Sequence, residues 1–243
     1  METASRHNVN IALRTLLWLL LLIVVVLAAD QWIKIWVKTN MAWREQINLL
    51  GDWFVLHYTE NNGMAFGIEL GGRMGKLALT AFRISAVIFG FWYLWQQIQR
   101  KAHKGFLLCV ALIIAGALGN IIDSVFYGVW FRERNFYPGG WFEGHVVDMF
   151  YAPIWEGVFP TWFPIWAGEP FTFFGAIWNL ADAAISVGVI SILVFQRWFF
   201  PHHEAKPVAK ENEGSDRGAE TNKDDGGALN EKKSEHPEDP SDK

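Results

Sequence analysis

The sequence predicts an all-α membrane protein with a small β element, on three observations. Its apolar residues gather into four long runs. Its 14 Trp and 19 Phe are far more aromatic residues than a soluble domain of 243 residues carries, and they suit an interface with lipid. The few acids near those runs sit at their edges, where an ionised carboxylate is costly and implies a site.

A bilayer-crossing helix needs about 20 mostly apolar residues. The runs at 11–37, 77–97, 106–130 and 173–199 meet that requirement, so four transmembrane helices are expected. The first resembles a signal peptide in its start, with Arg6 and Arg14 ahead of an apolar stretch. It runs on past Asp30 into Trp-Ile-Lys-Ile-Trp-Val without a clear cleavage site, and is read as an uncleaved span.

Between the second and third spans lies the short basic connector Arg100-Lys101-Ala102-His103-Lys104. With Arg6, Arg14 and Arg197 it puts both termini in the cytoplasm, although Lys38, Arg44, Arg73 and Lys76 lie on the outer side. Two extracytoplasmic segments follow from this, 38–76 and 131–172. The first contains Trp53-Phe-Val-Leu-His-Tyr-Thr, whose β-branched and aromatic residues fit a strand. The second, dense in Trp, Phe, Pro and Gly, is expected to be an irregular aromatic loop at the lipid–water boundary.

Residues 1–203 form the expected membrane domain, and 204–243 an expected disordered, charged cytoplasmic tail. The tail holds 12 Asp/Glu against 7 Lys/Arg and almost no large apolar residue, so it cannot bury a core. Its mixed charge carries no nucleic-acid signature. Cys109, alone in the chain, excludes an internal disulfide.

The predicted topology sends Asp30, Asp123, Asp148 and Asp182 to one level on the outer side. Helical spacing adds Asn179 to the face of Asp182, Gly116 and Asn120 to that of Asp123, and Lys34 to that of Asp30. Two neighbouring carboxylates in a poorly hydrated site share a proton: one activates water while the other polarises a carbonyl. There is no His-Glu-x-x-His for zinc and no Gly-x-Ser-x-Gly elbow. His145 is read as a loop histidine. A proton-coupled membrane carrier is the alternative, because intramembrane acids also relay protons.

Five blocks in order then resemble the lipoprotein signal peptidase (signal peptidase II) family: Asp30-Gln31 with Lys34; Asn61-Asn62-Gly63-Met64-Ala65-Phe66; Gly116-Ala117-Leu118-Gly119-Asn120-Ile121-Ile122-Asp123; Val146-Val147-Asp148; and Asn179-Leu180-Ala181-Asp182. The resemblance implies an aspartic endopeptidase of the bacterial inner membrane with its active site facing outward. It implies a catalytic dyad of Asp148 and Asp182, with Asn120, Asp123 and Asn179 ordering the dyad and Asp30, Lys34, Asn61 and Gly63 shaping the pocket. The implied substrate is a prolipoprotein with a diacylglyceryl-Cys, cut before that Cys by a monomer without metal or cofactor. Ser124 stands where the family usually has Arg, and Arg83 in the second span is a candidate to supply that charge.

Overall fold

The computed structural model describes residues 2–62 and 72–200. Gly63 and the tail from 204 onward therefore lie outside the described residues. Among the described residues, three helices are long and apolar enough to cross a membrane. These are α1 (Glu2–Asn40), α2 (Gly72–Gln99) and the stretch Lys104–Trp130, which comprises α3 (Lys104–Ile122), a π-helical turn at Asp123–Tyr127 and α4 (Gly128–Trp130).

The fourth expected span is shorter than the sequence suggests. Its helix, α5 (Leu180–Val194), begins at the Asn179 cap and is followed after Phe195 by the turn α6 (Gln196–Phe199). Residues 173–178 are apolar enough to extend a helix, but the sheet takes them instead. Phe173 ends β5 (Pro170–Phe173), and β6 (Ile177–Trp178) pairs with Phe150 and Tyr151.

The second outer segment is likewise more regular than expected. It contributes β3 (Val146–Tyr151), β4 (Trp155–Val158), β5 and β6. β1 (Gln46–Leu50) and β2 (Phe54–Asn61) come from the first outer segment. The main sheet runs β1-β2-β3-β6, all antiparallel, while β4 and β5 form a separate two-stranded ribbon. β2 and β3 keep register at Leu56↔Phe150 but next pair at Thr59↔Asp148, so β2 spends one extra residue there. This bulge turns the strand and sets Asp148 opposite Thr59.

α3 packs against α1, α2 and α5. Helices in lipid gain most where small residues let backbones approach. A Cβ on Gly116 would lie 2.2 Å from the Ala181 carbonyl oxygen, and one on Gly188 would lie 2.7 Å from that of Cys109. One buried cluster joins Leu19 and Ile23 of α1, Leu94 of α2 and Ile114 of α3. A second, of Val37, Met41, Tyr58, Tyr127, Val147 and Met149, fastens the sheet to the ends of α1 and α3.

The π-turn lies where these clusters meet. A π-turn releases backbone carbonyls from the helical ladder. Here the loop takes them up: Gly144 N–H donates to Ser124 O at 3.0 Å and Phe142 N–H to Val125 O at 3.0 Å. Only a glycine fits at 144, since a Cβ there would stand 1.9 Å from Asp123 O.

Candidate active site

Asp148, in the middle of β3, is 2 % exposed. Its carboxylate accepts from Asn61 Nδ2 and, at 2.6 Å, from Asn179 Nδ2. Asn179 is also the N-cap of α5, extended at φ −125° and ψ 177°, and its Oδ1 accepts from Asp182 N at 2.9 Å. That cap satisfies one of the orphan N–H groups every helix start leaves open. One amide side chain therefore touches the carboxylate of Asp148 and the backbone of Asp182.

Asn120 on α3 completes the bridge. Its Nδ2 donates to Asp182 Oδ1 at 2.8 Å, and its Oδ1 accepts from Lys34 Nζ at 3.0 Å and Asn179 Nδ2 at 3.3 Å. Asp182 is half-buried, unlike Asp148. Burial, then the charge of Asp182, pushes the Asp148 carboxyl up to about 7.

Behind the pair stands a fully buried ion cluster. Lys34 Nζ lies 2.9 Å from Asp30 Oδ2 and 2.8 Å from Asp123 Oδ2. Each of these acids also holds the backbone beside one of the front acids. Asp30 Oδ1 accepts from Ala181 N at 2.8 Å, the residue before Asp182. Asp123 Oδ2 accepts from Val147 N at 3.4 Å, the residue before Asp148. Lys34 thus joins two carboxylates, one gripping the helix of Asp182 and the other the strand of Asp148. Cutting any member leaves a buried charge or N–H unpaired, which is expensive.

Among the described residues, the structure brings together every candidate from the sequence: Asp30, Lys34, Asn61, Asn120, Asp123, Asp148, Asn179 and Asp182. Two further residues belong to the cluster. Gln31 Nε2 donates to Asp123 Oδ1 at 2.9 Å and to Asp30 Oδ2 at 3.2 Å, and Tyr127 OH donates to Gln31 Oε1 at 3.0 Å. Tyr127 stands four residues after Asp123, a helical spacing that carried the signal. Asn179 departs from the expected helix-face arrangement, because it precedes the helix and caps it.

Arg83 of α2 reaches Ser124 Oγ at 3.4 Å, and Ser124 Oγ donates to Asn120 O at 2.8 Å. His145 is a loop residue stacked on Tyr137 at 3.6 Å; burial, then Lys76 and Lys38, push its pKa down to about 3. It is neutral at physiological pH. Among the described residues no group of three or more His, Cys, Asp or Glu is placed to hold a metal ion. The Lys34 ammonium occupies the space between Asp30 and Asp123.

A helical bundle of membrane-crossing length, with two bridged aspartates at one end, defines the class: an integral membrane protein built around an acidic site. Comparison with known proteins makes it particular. The family model described as Signal peptidase (SPase) II matches residues 22–199, and the chain belongs to that family. It is 50 % identical over 184 residues to a lipoprotein signal peptidase of Porphyromonas gingivalis, covering 71 % of this chain and 80 % of that one. A lipoprotein signal peptidase of Amoebophilus asiaticus is 42 % identical over 172 residues, covering 69 % and 72 % of the two chains. One solved bacterial membrane enzyme shares the fold at a TM-score of 0.51 and 22 % identity, over 77 % of this chain and 93 % of that one. Membership of a peptidase family sets the carrier alternative aside.

Proposed function

We propose that this protein is a membrane-embedded aspartic endopeptidase that removes the signal peptide from diacylglyceryl-modified prolipoproteins, cleaving before the lipid-modified Cys. The observation that carries the proposal is the Asn179 bridge between Asp148 and Asp182. It ties the carboxylate of Asp148 to the backbone of Asp182, two acids of unlike burial, which supports a shared-proton pair.

The half-buried Asp182 acts as the base. It takes a proton from water as the oxygen attacks the scissile carbonyl, while the buried Asp148 donates its proton to the carbonyl oxygen. As the tetrahedral intermediate collapses, Asp182 passes its proton to the leaving amine and Asp148 regains one from the hydroxyl. Both carboxyls return to their starting states. Asn120, Asn179 and Asn61 hold the two groups at fixed angles by hydrogen bonds, and Lys34, Asp30 and Asp123 fix the backbones that carry them. Arg83 donates to Ser124, which in turn bonds the backbone of Asn120, and so places a positive charge beside the residue that holds Asp182.

In this reading α5 with α6 forms a fourth crossing, both termini lie in the cytoplasm of a bacterium, and the dyad faces outward across the inner membrane. Gly63 belongs to the pocket and the chain works as a monomer. A helical substrate in lipid has its backbone groups paired, so the scissile segment unwinds at the polar end of the bundle before attack. The acyl chains stay in the leaflet, each buried methylene contributing about 0.8 kcal/mol.

Incubation of the purified chain with a prolipoprotein, with and without its diacylglyceryl group, tests the reading. Mass spectrometry is expected to show a cut immediately before the modified Cys, and little product from the unmodified form. Cleavage elsewhere, or equal cleavage of both forms, contradicts it.

A further inference from the structure

The opposite end of the helical bundle holds a second feature that the peptidase chemistry leaves unused. Between α1 and α3 lies a cavity of about 410 Å³ with Trp18, Leu19, Leu107 and Leu108 on its walls and Arg14 and Lys104 at its rim. It adjoins a second cavity of about 670 Å³ that shares Ile11, Thr15, Lys104 and Leu107 with it and adds Lys101. Among the described residues, no acidic side chain lines either space. Along their helices, Arg14 stands about 24 Å from Asp30 and Lys104 about 28 Å from Asp123, at 1.5 Å per residue. Such separations approach the thickness of a bilayer's hydrocarbon core, about 30 Å. Cations at that height meet lipid headgroups when the acids are at the far face.

We propose that this groove binds an anionic phospholipid, with the phosphate between Arg14 and Lys104 and an acyl chain along Trp18, Leu19, Leu107 and Leu108. The charge argument is complementarity: basic residues at the mouth of an apolar slot between transmembrane helices recognise an anionic headgroup with its tail inserted. Trp18 and Leu108 are 71 % and 47 % exposed, leaving an apolar wall for a chain to cover.

The other occupant to weigh is the chain's own tail. Phe199 packs on His103 at 5.2 Å and Phe200 on Phe106 at 5.0 Å, so the described chain ends beside this loop. The 12 acids that follow would satisfy the cations. Beyond residue 203, however, Val208 and Leu229 are the only large apolar residues, which is too little to cover the groove's walls. A lipid satisfies both halves of the site.

The test is native mass spectrometry of the full chain in detergent, titrated with dioleoyl phosphatidylglycerol or dioleoyl phosphatidylcholine. The full chain is expected to retain the anionic lipid about thirtyfold more tightly, two cations each contributing a factor of about five. R14Q/K104Q is expected to lose that preference, while the charge-preserving pair R14K/K104R keeps it. Thermal unfolding of each variant checks that the fold is intact. Equal retention of the two lipids overturns the proposal, as does a preference that survives in R14Q/K104Q or is lost in R14K/K104R. Anionic lipid that enters only after residues 204–243 are deleted assigns the groove to the tail and overturns it as well.

Discussion

Asp148 and Asp182 differ in surroundings, and in the proposed mechanism that difference divides their roles. Burial holds Asp148 up to about 7, well above the 3.8 of a free carboxyl, so it is protonated below that pH and ionised above it. The pair with one proton is therefore depleted as pH rises through about 7, and kcat/KM is expected to fall on that alkaline limb. The same shift favours the folded state at low pH and is lost between about 4 and 7 as pH rises, since the folded chain binds the proton more tightly. In D182N the like charge is gone while burial remains. The infrared carbonyl band of Asp148 should then titrate at lower pH but still above 3.8; an unmoved or raised midpoint contradicts the pairing. Lys34 is the other decisive residue. K34M leaves Asp30 and Asp123 buried beside each other without their cation, a loss of about 3–5 kcal/mol that thermal unfolding in detergent reads directly. Asp30, Lys34 and Asp123 were visible in the sequence because charges at the edges of apolar runs are conspicuous. Their division of labour was not, because it depends on Ala181 N and Val147 N, backbone groups that carry no residue signature.

Two element boundaries create the site. Helix α5 starts at Asn179 because the two residues before it pair with β3, leaving an amide cap poised between the acids. The apolar run from 173 onward reads as continuous helix, since the pairing partners, Phe150 and Tyr151, lie far away in sequence. The same distance hid the strands of the second outer segment, since strands of two to six residues in an aromatic loop have no period long enough to read, whereas β2 was legible from its β-branched and aromatic residues. By contrast, the first three spans were legible from length and apolarity alone. Replacing Asn179 by Ala is expected to cost about 1 kcal/mol as a lost cap and to lower kcat far more than that stability change explains. G116V tests the α3–α5 contact. Its side chain meets the Ala181 carbonyl, so α5 moves and conversion falls while total helix content by circular dichroism is kept. Unchanged activity in G116V contradicts close α3–α5 packing as the device that positions Asp182.

At the scale of the whole molecule, the aspartates and the proposed lipid groove of Arg14 and Lys104 lie toward opposite ends of the bundle. Deletion of the charged segment 204–243 is expected to leave kcat/KM within about twofold in detergent. In the proposed mechanism Asp148 and Asp182 perform the hydrolysis together. This is tested most directly by D148N and D182N, each assayed for conversion of a diacylglyceryl prolipoprotein and checked for unaltered thermal unfolding. Each variant is expected to lose at least a hundredfold in kcat, the lower range for a positioned acid or base. Full activity in either folded variant contradicts the mechanism.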